Sequence, residues 1–259
     1  MGTYSGTSNI QATWEPNTID LHWYNGDTEL TVPSASQSCT YDGTLTPPAT
    51  IPQKTGYTFK GWKVKEVPVG YTRLEYLQST GTQYIDTGIQ AKNSTTTQVI
   101  GQYLELNSDA TLFGVFQSNG VNYYGLGLAG GVYWRFWYGS GGAPWVVFGT
   151  ADTQLHTFII RNASLYIDDD ITPVATSSSG SVNSQSKNLI LFGAMYGESV
   201  QYLSKAKIYS VKIYENGALV RNMIPAKNDS NVVGMYDTVS KTFFTNAGSG
   251  TFTAGPVAQ

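Results

Sequence analysis

The sequence predicts an all-β chain, a small β module followed by a large β-sandwich, and three observations carry that expectation. Apolar and polar residues alternate over many short runs, and Gly, Asn, Asp, Ser and Pro punctuate them at close intervals. No helix-period segment of any length interrupts the pattern. Composition agrees: aromatic residues make up 13% of the chain, with 18 Tyr and 6 Trp, while charged residues make up only 13%. A typical soluble domain is about 25% charged. This chain is polar through Ser, Thr, Asn, Gln, Gly and Tyr instead, the palette of secreted β proteins whose strands favour Thr, Tyr and Val.

The bulk numbers also exclude function classes. A net charge of −3 over 259 residues gives no basic footprint for nucleic acid or an anionic membrane. A single cysteine, Cys39, allows no intramolecular disulfide and no Cys-rich metal site, and it reads as a small half-buried side chain. No apolar run approaches the roughly 20 residues that cross a bilayer, so no membrane insertion is expected. The start, Met-Gly-Thr-Tyr-Ser-Gly, lacks a basic and apolar signal region. The expectation is either a piece of a longer exported protein, extracellular or at the cell surface, or a virion protein that leaves the cell without a signal.

In chain order, Ile10–Trp14 reads as a short strand stopped by Glu15-Pro16-Asn17, and Ile19–Trp23 as the next, stopped by Asn25-Gly26-Asp27. Leu30-Thr31-Val32 reads as a third, and Cys39-Thr40-Tyr41 runs into the turn pair Asp42-Gly43. Pro47, Pro48 and Pro52 precede Gly56–Val64, GYTFKGWKV. Tyr41-Asp42-Gly43, the prolines, and then Gly56, Tyr57, Phe59, Gly61 and Trp62 follow one another as in the internalin-type B-repeat. This region, Ile19–Val64, resembles that β-grasp-like module of bacterial surface proteins, although His22–Gly26 departs from the family's Phe and Asn-Gly-Gly turn. Asn9–Pro16 resembles the last strand of a preceding repeat. The resemblance implies that Tyr57, Phe59 and Trp62 form a small core. Lys63–Val69, KVKEVPV, reads as a linker, which places the module over 1–66 and the sandwich over 67–259.

In the sandwich, strands are expected over Arg73–Leu77, Gln83–Asp86, Thr95–Leu106, Leu112–Phe116, Tyr123–Leu128, Val132–Tyr138, Trp145–Phe148, His156–Arg161 and Ser164–Ile167, each bounded by turn residues. Leu189–Phe192 reads as a buried strand. Beyond it, Ala206, Ile208, Ser210, Lys212 and Tyr214 fall on one side of a long strand. Lys207, Tyr209, Val211 and Ile213 fall on the other, and Asn216-Gly217 supplies a turn at positive φ. This stretch reads as scaffold without chemistry of its own.

His156–Ile160 with Leu165–Asp168, and then Leu189–Gly217, follow the order of the closing hairpins of laminin G-like, concanavalin A-like proteins. Asp169 stands where that pattern has Gly. Glu75–Gly88, with Ile224–Ala226, Val233–Asp237 and Phe243–Asn246, resembles the opening and closing segments of phage and gut-bacterial surface proteins of that group. The resemblance covers nearly all of Gly70–Gly255. It implies a jelly-roll β-sandwich, but the superfamily includes enzymes, lectins and spacers.

Catalytic chemistry is sparse. A retaining glycosidase needs two carboxyl groups about 5 Å apart across the sugar bond. Glu105 and Asp109 are separated by a turn at Asn107-Ser108, Glu198 and Glu215 stand alone, and Asp168-Asp169-Asp170 ends a hairpin. His156 reads as a structural hydrogen-bonding group. Neither a nucleophile elbow nor a phosphate loop is present. No cofactor is expected beyond the calcium that this fold family often holds, for which Asn107, Asp109, Asp168 and Asp170 supply candidate oxygens, although turn chemistry explains all four equally well.

The strongest binding signal is Val132–Phe148, VYWRFWYGSGGAPWVVF. Alternation puts Trp134, Phe136 and Tyr138 on one face and Tyr133, Arg135 and Trp137 on the other. The face with Arg135 is expected outside, which leaves Tyr133 and Trp137 as exposed aromatics beside a planar donor. Tyr123 or Tyr124, together with Trp145, extends that platform from flanking strands. Such a surface suits a carbohydrate; covering a second layer or packing on the first module are the alternatives. The preferred expectation is a non-enzymatic adhesion or binding module for a glycan or a cell-surface or cell-wall partner. A virion or spacer component is the rival, and a glycoside hydrolase stands third.

Overall fold

The computed structural model describes residues 15–26, 28–118, 121–141, 144–168, 170–183 and 186–258. The strand expected over Ile10–Trp14 lies outside them, as does Asp169. The chain forms two compact units, Met1–Lys65 and Glu66–Gln259.

The first unit is built from two short antiparallel ribbons. Strand β1 (Thr18–Asp20) meets β4 (Ser38–Thr40), and β2 (Tyr24–Asn25) meets β3 (Thr28–Glu29). Its packing is thin: of its described residues only Ser36 and Pro48 are buried. Trp62 packs edge-on against Trp23 at 4.9 Å and Phe59 at 5.3 Å, so two of the three expected core aromatics do meet. Tyr57 does not join them. It is 71% exposed, with the Lys54 ammonium 4.3 Å from its ring centre. No strand forms over Gly56–Val64 or Leu30–Val32.

The second unit is an all-β sandwich. Its strands are β5 (Tyr71–Arg73), β6 (Leu77–Thr80), β7 (Ile85–Asp86), β8 (Thr95–Tyr103), β9 (Thr111–Ser118), β10 (Val121–Ala129), β11 (Tyr133–Gly139) and β12 (Trp145–Thr150). Then come β13 (His156–Arg161), β14 (Ser164–Ile167), β15 (Ala175–Thr176), β16 (Ile190–Leu191), β17 (Ala194–Tyr196), β18 (Ser199–Gln201), β19 (Lys205–Glu215), β20 (Ala218–Asn228), β21 (Val233–Asp237), β22 (Thr242–Thr245) and β23 (Thr253–Ala254). One sheet runs β12-β11-β10-β9-β16-β7, with β17 alongside β9 and β18 beyond it. The other runs β15-β14-β13-β8-β19-β20-β21-β22, with β5, β6 and β23 attached.

The core fills the space between these sheets. Strand β8 shows why: its burial alternates without a break from Thr95 to Tyr103, the period of a pleated strand with one face inside. The opposite sheet contributes Phe113, Val115, Tyr124, Leu126, Trp134 and Phe136 to the same cluster. The Tyr124 hydroxyl reaches across to donate to Thr97 Oγ1 at 2.9 Å, which satisfies a buried phenol that would otherwise be costly.

Strand β19 departs from the strict alternation expected of it. Ala206, Ile208, Val211 and Ile213 are all fully buried, although the sequence pattern puts the first two and the last two on opposite faces. The register with β8 shifts between Ile208 and Ser210, so a bulge at Tyr209 inserts one residue and flips the phase. The hairpin that follows is as expected: Asn216 and Gly217 take φ of +49° and +80° and close β19 onto β20.

Candidate functional site

Strand β11 has two faces, and the ladders on both sides assign them. Opposite Trp134, Phe136 and Tyr138 stand Leu128, Leu126 and Tyr124 of β10, all in the core. Opposite Arg135 and Trp137 stand Gly127 and Gly125, and on the other flank Val147 and Trp145 of β12. Directly paired residues share a face, so Tyr133, Arg135, Trp137, Trp145 and Val147 all lie on the outer surface. On β9 and β17 that surface continues through Phe116, paired with Tyr123, and Tyr196, paired with Phe116.

Trp137 is on the outer face but is not the exposed platform that the sequence suggests. It is only 6% exposed. The cause is the glycine lane beside it: a Cβ at Gly127 would stand 2.9 Å from Trp137 Cζ3, so the indole lies where a side chain would be. Phe116 closes against it at 4.8 Å between ring centres and stacks on Tyr123 at 5.0 Å, with 22° between the latter planes. Phe116, Tyr123, Trp137 and Ala194 form a cluster separate from the main core, with Tyr196 packed on it. Tyr133 stands at the far end of β11, 49% exposed, and is not part of this group. A register shift between Tyr133 and Trp134 separates it from the rest of the strand.

Above this sunken floor is a cavity of about 260 Å³ lined by Asp109, Phe116, Tyr123, Arg135, Trp137, Trp145, Tyr196 and Tyr202. Its rim is accessible: Trp145 is 44% and Tyr202 39% exposed. Asp109 sits in the β8–β9 loop in the left-handed region, φ +60°, a conformation Asp tolerates. The loop is held down by the buried Tyr103 hydroxyl, which donates to the Ala110 carbonyl at 3.1 Å. Its carboxylate takes an ion pair from Arg135 Nη1 at 3.1 Å. The guanidinium in turn lies 5.5 Å from the Trp137 ring centre, within cation–π range. Arg135 Nε is buried and has no acceptor among the described residues.

Tyr202 enters from the β18–β19 loop, its carbonyl accepting from Thr111 N–H at 2.8 Å. Burial raises its pKa, and the Tyr196 phenol and Asp109 carboxylate push the same way. The arrangement presents aromatic planes, hydroxyl groups and one opposed charge pair in a single concave site. Four of the five sequence-predicted residues meet here: Tyr123, Arg135, Trp137 and Trp145. Tyr196 and Tyr202 were not anticipated. They come from the Leu189–Asn216 stretch, which therefore carries more than scaffold. Their proximity to Phe116 depends on the parallel pairing of β17 with β9, for which the sequence holds no signal.

Three of the four candidate calcium donors have other partners. Asp109 is engaged by Arg135 and Asn107 by Glu105. Asp168 accepts from Thr157 N–H at 2.9 Å and faces His156 Nδ1 at 2.8 Å. Among the described residues no three His, Cys, Asp or Glu side chains gather as a metal would require. His156 also meets Asp152 through Nε2 at 3.0 Å and stands edge-on to the core indole of Trp134. A wider hollow of about 580 Å³ in the first unit includes His22, Trp23 and Glu29. There the His22–Glu29 pair lies in solvent and the Trp23 N–H is already given to the Ser36 carbonyl.

No family model matches the chain, and no curated protein matches it. Among solved structures it is similar to a Bacteroides ovatus ATCC 8483 protein described as a "putative carbohydrate binding protein", with 11% identity and a TM-score of 0.48. The likeness covers 72% of this chain and 61% of that one, so this chain spans less than two thirds of its length. A likeness at this level transfers no ligand.

Proposed function

We propose that the chain is a non-enzymatic carbohydrate-binding module that takes its ligand in the outer-face cavity of the sandwich. The observation that carries this reading is the joining of Trp137, Trp145 and Tyr123 with the Arg135–Asp109 pair in one concavity. Sugar rings have apolar C–H faces that pack on aromatic planes and hydroxyl edges that need fixed donors and acceptors. A concave aromatic site with a few placed polar groups supplies both. Hydrolysis is disfavoured by the same geometry. A glycosidase works with two carboxyl groups, whereas among the described residues Asp109 is the only carboxylate lining the cavity and is ion-paired.

The finer reading follows the resemblances in sequence. The first unit is a B-repeat-like stalk element and the second a laminin G-like, concanavalin A-like domain of a bacterial surface or phage protein, acting outside the cell in adhesion. The motif order Tyr41-Asp42-Gly43 to Trp62 supports the first, and His156–Asp168 with Leu189–Gly217 supports the second.

A glycan array probed with the full chain and with Trp145→Ala tests the reading. Trp145 is rim-exposed, so the variant keeps the melting temperature and loses glycan signal. An array on which the wild-type chain binds nothing, or on which the variant binds equally well, overturns it.

A further inference from the structure

Resting on that reading, we infer that the cavity selects a single, uncharged, hydroxyl-rich sugar ring and discriminates against acidic sugars. Charge decides the first half. Among the described residues that line the cavity, the one cation, Arg135, faces the one anion, Asp109, at 3.1 Å, so their charges cancel before a ligand arrives. A uronic or sialic carboxylate seeking Arg135 would have to enter beside Asp109, and two carboxylates within a few ångströms repel with little screening in a partly buried site.

A neutral diol has the opposite fit. Each sugar hydroxyl both donates and accepts, so adjacent hydroxyls can give to the Asp109 carboxylate and take from the guanidinium. Arg135 carries five N–H donors, and only Nη1 is engaged with Asp109, while the side chain as a whole keeps 28% exposure. The Tyr202 hydroxyl adds a further donor at the rim. The Asp109 carboxylate is held toward the cavity by its ion pair with Arg135.

Size decides the second half. About 260 Å³ is below the ~300–1,000 Å³ of pockets for drug-sized ligands, so the enclosed part suits one ring and not an extended chain. Phe116 and Trp137, at 2% and 6% exposure, form a floor. Trp145 and Tyr202 stand above it as a rim, so the ring enters as the end of a glycan.

Ligand-observed NMR titration of the full chain tests this with methyl glycosides of neutral hexoses and 6-deoxyhexoses against methyl glucuronide and N-acetylneuraminic acid. Neutral rings are expected to bind at least about tenfold more tightly than the acidic ones. Asp109→Asn releases the Arg135 charge and is expected to narrow or invert that ratio. Acidic sugars bound as tightly as neutral ones by the wild type, and lost in Trp145→Ala, overturn the selectivity and leave the carbohydrate reading standing. No binding of either class overturns both. A neutral disaccharide bound more than about tenfold tighter than its terminal methyl glycoside overturns the single-ring assignment.

Discussion

The two faces of β9, β10 and β11 carry almost the same residue types and end with different properties. Inside, Phe113, Tyr124, Trp134 and Phe136 sit among side chains from the opposite sheet and are sealed from water. Outside, Phe116, Tyr123 and Trp137 pack on one another over a lane of glycines, apart from the main core. The inner cluster is deep because two layers enclose it. The outer cluster is shallow, because Gly125 and Gly127 let one layer of aromatics sink into the sheet while Trp145 and Tyr202 remain at the surface. The lesson is that aromatic content alone does not separate core from binding surface. What the facing strand offers, a side chain or a glycine, does.

Substitutions can break or sharpen this contrast, and the inner face responds most. Phe136→Ala opens a sealed cavity and is expected to cost about 3–5 kcal/mol, measured by denaturant unfolding. Trp137→Ala on the outer face removes comparable surface, but water and neighbouring rings can fill the space. A loss of about 2 kcal/mol is expected, together with loss of ligand. Equal losses for the two would mean that the outer cluster is a second core. Gly127→Ala tests the glycine lane. Its methyl would stand 2.7 Å from the Ala110 carbonyl and 2.9 Å from the Trp137 ring, so about 1–2 kcal/mol is expected with weakened glycan binding. An unchanged affinity would show that the seat of the indole is irrelevant to the site.

The smallest effect comes from pH and acts on the inner side alone. Burial disfavours charged His156, but its contacts with Asp168 and Asp152 outweigh that and raise its pKa. The imidazolium therefore stabilises the fold fully below the unfolded-state value of about 6.5, and this contribution is lost as pH rises through the higher folded value. For Asp168, burial is outweighed by the Thr157 N–H and His156, and its pKa is lowered. That contribution is present above about pH 3.9 and is lost as pH falls through the lower folded value. Melting temperature in wild type is thus expected to decline modestly above about pH 6.5, and His156→Gln should flatten that slope. Persistence of the slope in the variant would assign it to other groups.

The face assignment of Tyr133–Tyr138 was legible because a strand has a period of two and Arg135 marks the wet side. Most sandwich strands were legible for the same reason, each closed by turn residues such as Asn216-Gly217. The first unit was less so. Its motif aromatics Phe59 and Trp62 do pack together, but Tyr57 stays in solvent beside the Lys54 ammonium, a placement that the motif order does not encode. Two errors in the second unit share a cause. The bulge at Tyr209 and the burial of Trp137 both depend on how a neighbouring strand is aligned, which local alternation does not encode.

By itself, then, the sequence determined the all-β class, the turns and the inward or outward sense of most side chains, because these follow from backbone geometry over a few residues. Only the tertiary structure decided that Trp137 is sunk and Trp145 is open. It also brought Asp109 to Arg135, and delivered Tyr196 and Tyr202 to Phe116 and Trp137. Those outcomes are set by cross-strand register and by loops distant in sequence, and a site made of such contacts exists only once the sheets have closed.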